Sequence, residues 1–493
     1  MTSTAMQGGS ATASPLLREV ERAAAAAVGT QRILIISYHF PPSAAVGGKR
    51  MVNFATRLRL LGWEPEVLTI PDDRAEQVDR ARLRDVEGLP IWKASVLPTF
   101  IGVLTSIVRI RRRRSNTRAA SSTVRAAAAD APPQPSARPA HAGTRRWPAG
   151  ETLVARMRRW VMSFALLPHG EKGWYLPATL RAAAIIRRQR VGWFMTSCPP
   201  YSVHLIGLTV RLLTRARWVA DFRDPWMTTG SKRLYPTSAV SLAVERWLER
   251  QVVQRADLVV FNVARLRDAY AARYAHVGSD KFVFVPNGIA AIGVPATPAE
   301  KFDRFTICYT GSLYVGRSPA PLFAALAKLI TEGAVGAGGV TVKLVGQCRT
   351  IDGVPTDAVV RSYGLQSIVE VVDAVPYAEA FDMVRRSHIA LLLAPNLPYQ
   401  IPAKVYDYLA AGTRILAIAE EGGTADLLQE TQSGRAFRPE DVDAIADFLR
   451  AELSAGRAGS GRSEGLARYD AKRVAEELAG HLTRVGARSE RLA

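Results

Sequence analysis

R-I-L-I-I-S-Y-H-F-P-P-S-A-A-V-G-G, residues 32–48, is the stretch on which the reading of the fold turns. I-L-I-I-S (33–37) is a short, uninterrupted apolar run, as a parallel strand covered on both faces requires. It breaks into a Pro- and Gly-rich loop, and an amphipathic run follows with Met51, Phe54, Ala55, Leu58 and Leu61 on one side. Gly62 is placed to stop that helix, and P-E-V-L-T-I (65–70) reads as a second strand. The whole is one strand–helix–strand unit.

The same alternation recurs in both directions along the chain. Strands are expected at W-F-M-T-S (193–197), R-W-V-A-D-F (217–222), L-V-V-F (258–261) and F-V-F-V-P-N-G (282–288). A new cycle opens at F-T-I-C-Y-T-G (305–311) and runs through 342–346, 369–373, 389–394 and 414–418. Helices fall between, among them Pro319 to Leu329 and Ala378 to Arg386, and a last helix covers Ala471 to Arg484. Two βα-alternating halves predict an α/β protein of two Rossmann-like, doubly wound domains facing a central cleft. The expected boundaries are 31–290 and 291–470, with a helix and tail at 471–493 and a disordered leader at 1–30.

Composition narrows the class. A chain of 493 residues needs more than one core, and 48% hydrophobic with 22% charged residues is ordinary for a globular enzyme. Cys198, Cys308 and Cys348 stand singly with no C-x-x-C pair, which argues against a disulfide framework or structural zinc and for a reducing compartment. No basic region leads into an apolar core at the N-terminus, and no run reaches the roughly 20 apolar residues of a spanning helix. The net charge of +21 is local: residues 101–160 hold 13 Arg against Asp130 and Glu151. Residues 109–150 therefore read as a disordered basic insertion in the first domain. Its apolar approach and R-I-R-R-R-R would suit an anionic membrane surface, or simply a solvated linker. Nucleic acid is not expected, because no aromatic residue interleaves with these arginines before Trp147.

Ligands of open parallel sheets sit beyond the carboxyl ends of the strands, so the residues there are the candidates. Gly47-Gly48 precedes a helix, where amides can approach an anion; a tight turn would need the same glycines. T-G-S-L-Y-V-G-R (310–317) puts Gly311, Ser312 and Arg317 before a helix, with Ser318 or Arg317 at its cap. In P-A-K-V-Y-D-Y-L-A-A-G (402–412), Pro402 suits a helix start and Gly412 its end. Lys404 near a helix N-terminus opposes the dipole and calls for an anion such as a diphosphate, while Asp407 could take ribose hydroxyls. An intrahelical Lys404–Asp407 pair, worth only about 0.3–0.5 kcal/mol, accounts for the same spacing. No G-x-G-x-x-G fingerprint follows the first strand, which weakens an oxidoreductase reading. D-V-D (441–443) reads as helix-capping acids rather than metal ligands, and no metal site is expected. His39, His169 and His204 could serve as general bases, though lone histidines are more often structural; His39 lies nearest a strand end.

Several motifs occur together in order: F-P-P-S-A-A-V-G-G-K-R (40–50), T-S-C-P-P-Y-S-V-H-L-I-G (196–207), D-F-R-D-P-W (221–226), V-P-N-G (285–288), Y-T-G-S-L-Y (309–314), 402–412 and S-G-R-A-F-R-P-E-D (433–441). With them the chain resembles the GT-B glycosyltransferases of glycosyltransferase family four, especially bacterial enzymes that build capsular, exopolysaccharide or O-antigen units. The resemblance implies sugar transfer from a nucleotide-sugar donor, which is a substrate and not a cofactor, to a lipid-linked or polysaccharide acceptor. It implies retention of configuration, no bound metal, and action in the cytoplasm, at the inner face of the plasma membrane if the acceptor is a lipid. Gly47, Gly48, Gly311, Ser312, Arg317, Lys404, Tyr406 and Asp407 would then form the donor site, Arg317 and Lys404 neutralising the diphosphate. Asp407 matches the second glutamate of the family's E-x7-E motif, and Tyr399 stands at the first. Arg223 and Asp224 fall where many relatives carry a His-Asp pair near the reacting centre. A sugar-nucleotide epimerase of this fold, or a non-catalytic scaffold using the Arg-rich segment on a membrane or nucleic acid, are the alternatives.

Overall fold

The computed structural model describes residues 31–98, 171–227, 238–289, 299–336, 338–455 and 464–492. The expected leader (1–30), the basic insertion (109–150) and His169 lie outside them.

The first half is a seven-stranded parallel sheet. Its strands are β1 (Gln31–Ile36), β2 (Trp63–Thr69), β3 (Ile91–Lys93), β4 (Trp193–Cys198), β5 (Arg217–Phe222), β6 (Leu258–Phe261) and β7 (Phe282–Phe284). They lie in the order β3-β2-β1-β4-β5-β6-β7. Alternate side chains of β1 enter two different cores, as period-two geometry demands. Leu34 and Ile36 meet helices Tyr175–Arg188, Ser202–Leu213 and Ala239–Arg255, whereas Ile33 and Ile35 meet helix Lys49–Leu60. That is why 33–37 is apolar throughout.

The second half repeats the plan. β8 (Phe305–Thr310), β9 (Val340–Val345), the short hairpin β10 (Thr350–Ile351) and β11 (Val354–Pro355), β12 (Val369–Val372), β13 (Ile389–Leu393), β14 (Arg414–Ile418) and β15 (Gly434–Phe437) follow in chain order. Six of them form a parallel sheet in the order β12-β9-β8-β13-β14-β15. Ile307 and Tyr309 face helices Ala320–Thr331 and Val442–Ser454, and Cys308 faces helices Lys404–Ala411 and Gly423–Thr431. Both sheets are thus doubly wound, and the architecture is the GT-B fold.

The strand orders reverse between β1 and β4 in one sheet and between β8 and β13 in the other. At such a switch point the two following loops diverge to opposite faces and leave a crevice. The last helix, Ala471–Leu492, returns to the first half. Val474, Leu478 and Leu482, one turn apart, are buried with Ile33, Met51 and Phe54. Each contributes about 1.5–3 kcal/mol of burial, enough to fix the return. The crossing is close: a Cβ on Gly288 would lie 2.8 Å from Ala471 Cα, and Ile289 N donates to Tyr469 O at 2.6 Å. The sequence reading, which left 471–493 as a helix and tail, did not place this helix on the first core.

Candidate functional site

The crevice of the second sheet is built around one lysine. β8 runs directly into Gly311 at φ +127°, a conformation a side chain rarely adopts. Across the switch point, helix Lys404–Ala411 begins directly after the β13 loop and ends on left-handed Gly412. Lys404 Nζ donates to Thr310 O at 2.6 Å and stands 4.1 Å from the Tyr309 ring centre. A Cβ at Gly311 would come within 2.6 Å of that nitrogen, so the glycine makes the room the lysine occupies. Burial, and then the Arg317 charge, pull the Lys404 ammonium down to about pH 7 against weaker opposition from Cys348 and Asp407. Arg317 stacks on Tyr314 with its guanidinium 4.2 Å from the ring centre. Tyr309 OH donates to Ser312 O at 2.8 Å, and Ser312 Oγ donates to Gln347 Oε1 at 3.3 Å, which fixes the Gly311 turn against the loop after β9. The cap of the following helix is Pro319 rather than Ser318 or Arg317, with Ser318 Oγ accepting from Ala320 N at 3.3 Å. Arg317 is thereby left outside the helix, on the crevice.

Asp407 is not paired with Lys404. Its Oδ1 accepts from Lys49 Nζ at 3.1 Å and from Tyr377 OH at 2.9 Å, and Lys49 Nζ stands 4.5 Å from the Tyr377 ring centre. Lys49 comes from the first half, one residue past Gly48, so this contact joins the two halves. Tyr406, on the inner side of the same helix, is 5% exposed, its ring 6.3 Å from that of Tyr469. Its phenol is pushed up by burial.

The first rim is more heavily cross-linked. Arg223 donates Nε to Cys198 O at 2.9 Å, Nη2 to Pro199 O at 2.7 Å and Nη1 to Gly47 O. It ties the loops after β1, β4 and β5 together, and a Cβ at Gly47 would lie 2.5 Å from Nη1. The Gly48 amide is taken by Ala45 O at 3.1 Å, and a Cβ there would press on His39 O at 3.1 Å. Asp224 reaches across to the second half, where Gln400 Nε2 donates to its Oδ1 at 2.7 Å. Behind these lies a buried network. Arg50 donates Nη2 to Asp221 Oδ1 at 2.9 Å and Nη1 to Pro286 O at 2.7 Å, and Ser197 Oγ donates to Asp221 Oδ2 at 2.7 Å. His39 is pulled down to about 4 by burial and by Arg223. His204 is fully buried beside Thr196, Nδ1 to Oγ1 2.8 Å, and burial with Arg223 lowers it to about 3.

Gly47, Gly48, Arg223 and Asp224 therefore gather on one rim, and Gly311, Ser312, Arg317, Lys404 and Asp407 on the other; Tyr406 sits beneath the second. Lys49, Tyr377 and Gln400 join the two rims, although no single-residue signal marked them beyond Lys49's place in G-G-K-R. Of the D-V-D acids, Asp441 accepts from Arg438 N at 3.2 Å and Asp443 pairs with Lys328. Among the described residues no three His, Cys, Asp or Glu side chains are grouped to hold a metal ion.

No protein-family model matches the sequence, and no curated protein is detectably similar to it. Solved structures are similar in fold over nearly their whole length. A glycosyltransferase of Rickettsia africae aligns over 93% of this chain and 99% of its own, with a TM-score of 0.56 at 10% identity. Anabaena HepE, solved with UDP and glucose, aligns over 92% and 100% with a TM-score of 0.55 at 13% identity. A candidate UDP-N-acetylglucosamine 2-epimerase of Listeria monocytogenes aligns over 92% and 96% with a TM-score of 0.50 at 8% identity. At these identities the likeness is one of fold.

Proposed function

We propose that this protein is a glycosyltransferase that moves a sugar from a nucleotide-sugar donor to a lipid-linked or polysaccharide acceptor hydroxyl. The observation that carries the reading is Lys404: a lysine half-buried at a sheet's switch point, held by a carbonyl and an aromatic face, next to Arg317 and, among the described residues, without a carboxylate partner. Two such cations suit a diphosphate, whose negative charge grows as it leaves. The fold is also that of HepE, a protein solved with UDP-glucose.

In the proposed reaction the bond from the anomeric carbon to the donor diphosphate breaks and a bond to the acceptor oxygen forms on the same face. The acceptor proton passes to a departing phosphate oxygen, so no resident metal and no dedicated side-chain base is needed. Lys404 and Arg317 take the developing charge, Asp407 the ribose, and the Gly311–Ser312 turn leaves space for the phosphates. Gly47 and Gly48 line the opposite rim. Arg223 acts by fixing that rim, and Asp224 by facing the acceptor side of the gap. A nucleotide-sugar donor suits a reaction in the cytoplasm. Among the described residues no helix is long and apolar enough to cross a membrane.

Lys404→Ala tests the assignment. Transfer from the donor that binds best in a thermal-shift screen of nucleotide sugars should fall by about a hundredfold or more, with the melting temperature nearly unchanged. Full activity in the variant removes Lys404 from the mechanism. A sugar product formed with no acceptor present would make the protein an epimerase instead.

A further inference from the structure

On the first half, helix Ala239–Arg255 and the end of helix Ala264–Arg273 flank an open, solvent-facing pocket of about 660 Å³. Its lining carries Arg246, Arg250, Arg273 and His276 over a floor of Met227, Glu249 and Tyr274, and among the described residues all of it comes from the first half. Arg246 and Arg250 stand one turn apart on the same exposed helix face. Among the described residues neither has an ion-pair partner.

The one carboxylate in the pocket is already engaged. Glu249 is fully buried; its Oε2 accepts from Met227 N at 3.0 Å and Tyr270 OH at 2.6 Å, and its Oε1 from Tyr274 OH at 2.7 Å and Arg273 Nη1 at 3.3 Å. It therefore fixes the floor and orients Arg273 without neutralising the other two guanidiniums. Three guanidiniums around one spoken-for carboxylate leave a local excess of positive charge, which repels itself until an anion enters. Arginine forks match tetrahedral phosphate oxygens in both geometry and charge.

We propose that this pocket is a second anion site, which binds a phosphate-class dianion through Arg246, Arg250 and Arg273. The ligand is either a small free phosphate compound or the phosphate headgroup of a lipid. The site is separate from the Lys404 crevice and does not depend on the transfer reading.

The test uses the full chain carrying Lys404→Ala and Arg317→Gln, so that phosphate binding in the crevice does not contribute. Calorimetric titration with inorganic pyrophosphate is compared with and without Arg246→Gln and Arg250→Gln. Flotation on phosphatidylcholine vesicles, with and without phosphatidic acid, is measured on the same proteins. Loss of the two guanidiniums should weaken pyrophosphate binding by about tenfold or more, because charge-assisted forks are the strong contacts available. If pyrophosphate binds equally in both proteins but phosphatidic-acid flotation is lost with the arginines, the headgroup is the ligand. Unchanged titration together with unchanged flotation overturns the proposal, as does the absence of both in the parent chain. Arg246→Lys with Arg250→Lys retains the charge without the fork and should recover only part of the binding; an unaltered melting temperature in each variant excludes unfolding as the cause.

Discussion

The two crevice rims draw on the same kinds of residue and use them oppositely. On the first, Arg50 is saturated by Asp221, Asn287 and the Val285 and Pro286 carbonyls, and each nitrogen of Arg223 is held by one backbone carbonyl. On the second, Lys404 holds one carbonyl and Arg317 an aromatic face, and neither has a carboxylate within ion-pair distance among the described residues. A cation whose every nitrogen is held by the protein stabilises the fold. One left with spare donors in a half-dry crevice is costly to the fold and is available to a ligand. The comparison predicts that substitutions on the first rim damage stability and those on the second damage binding.

The largest expected effect is on stability. Arg50→Met leaves Asp221, which is 0% exposed, as an uncompensated buried carboxylate. It should destabilise the chain by about 3–5 kcal/mol in urea unfolding. A loss below about 1 kcal/mol would mean that the first rim is no more structural than the second. On the second rim, Gly311→Ala puts a methyl group where Lys404 Nζ lies and forces alanine to φ +127°. Strain of about 1–3 kcal/mol is expected, and nucleotide affinity by calorimetry should fall by more than that strain alone explains. Equal affinity in the variant would separate Lys404 from the nucleotide.

A third prediction uses pH. Lys404 titrates near 7 in the free protein because burial disfavours its charge, and an adjacent diphosphate must raise that value. Nucleotide binding above pH 7 should therefore take up close to one proton, and affinity should fall as pH rises from 7 to 9, by up to about tenfold per unit. Below pH 7 the lysine is already charged and the dependence flattens. Titrations in buffers of different ionisation enthalpy measure the uptake, and Lys404→Arg, always charged, should abolish it.

Much of the fold could be read from local pattern. Runs such as 217–222, 258–261 and 414–418 became strands with the same ends, because both faces of a doubly wound sheet are buried and its strands are mostly apolar. The three-residue β3, the β10–β11 hairpin and β15 carry too few apolar residues for such a signal. The return of the last helix escaped as well, since an apolar stripe at 474, 478 and 482 states that a helix is buried but not against what. The site shows the same limit. Gly311, Arg317 and Lys404 were legible because a glycine after a strand and a basic residue at a helix start are local facts. That Asp407 pairs with Lys49, 358 positions away, instead of with Lys404, is a tertiary fact that spacing along one helix cannot reveal.

That contact gives the smallest and sharpest test of the comparison, because there a first-rim cation serves the second rim. Lys49 and Asp407 keep 37% and 29% of their side-chain surface exposed, so solvent screens them. Asp407 also retains Tyr377 when Lys49 is removed. A double-mutant cycle of Lys49→Ala with Asp407→Asn should give a stability coupling of only about 0.2–1 kcal/mol. Nucleotide affinity should change more on removing Asp407 than on removing Lys49, because only Asp407 belongs to the proposed ribose contact. A coupling well above that range would mean that Lys49 latches the two halves together. In that case the rims could not be divided into one that holds the fold and one that holds the ligand.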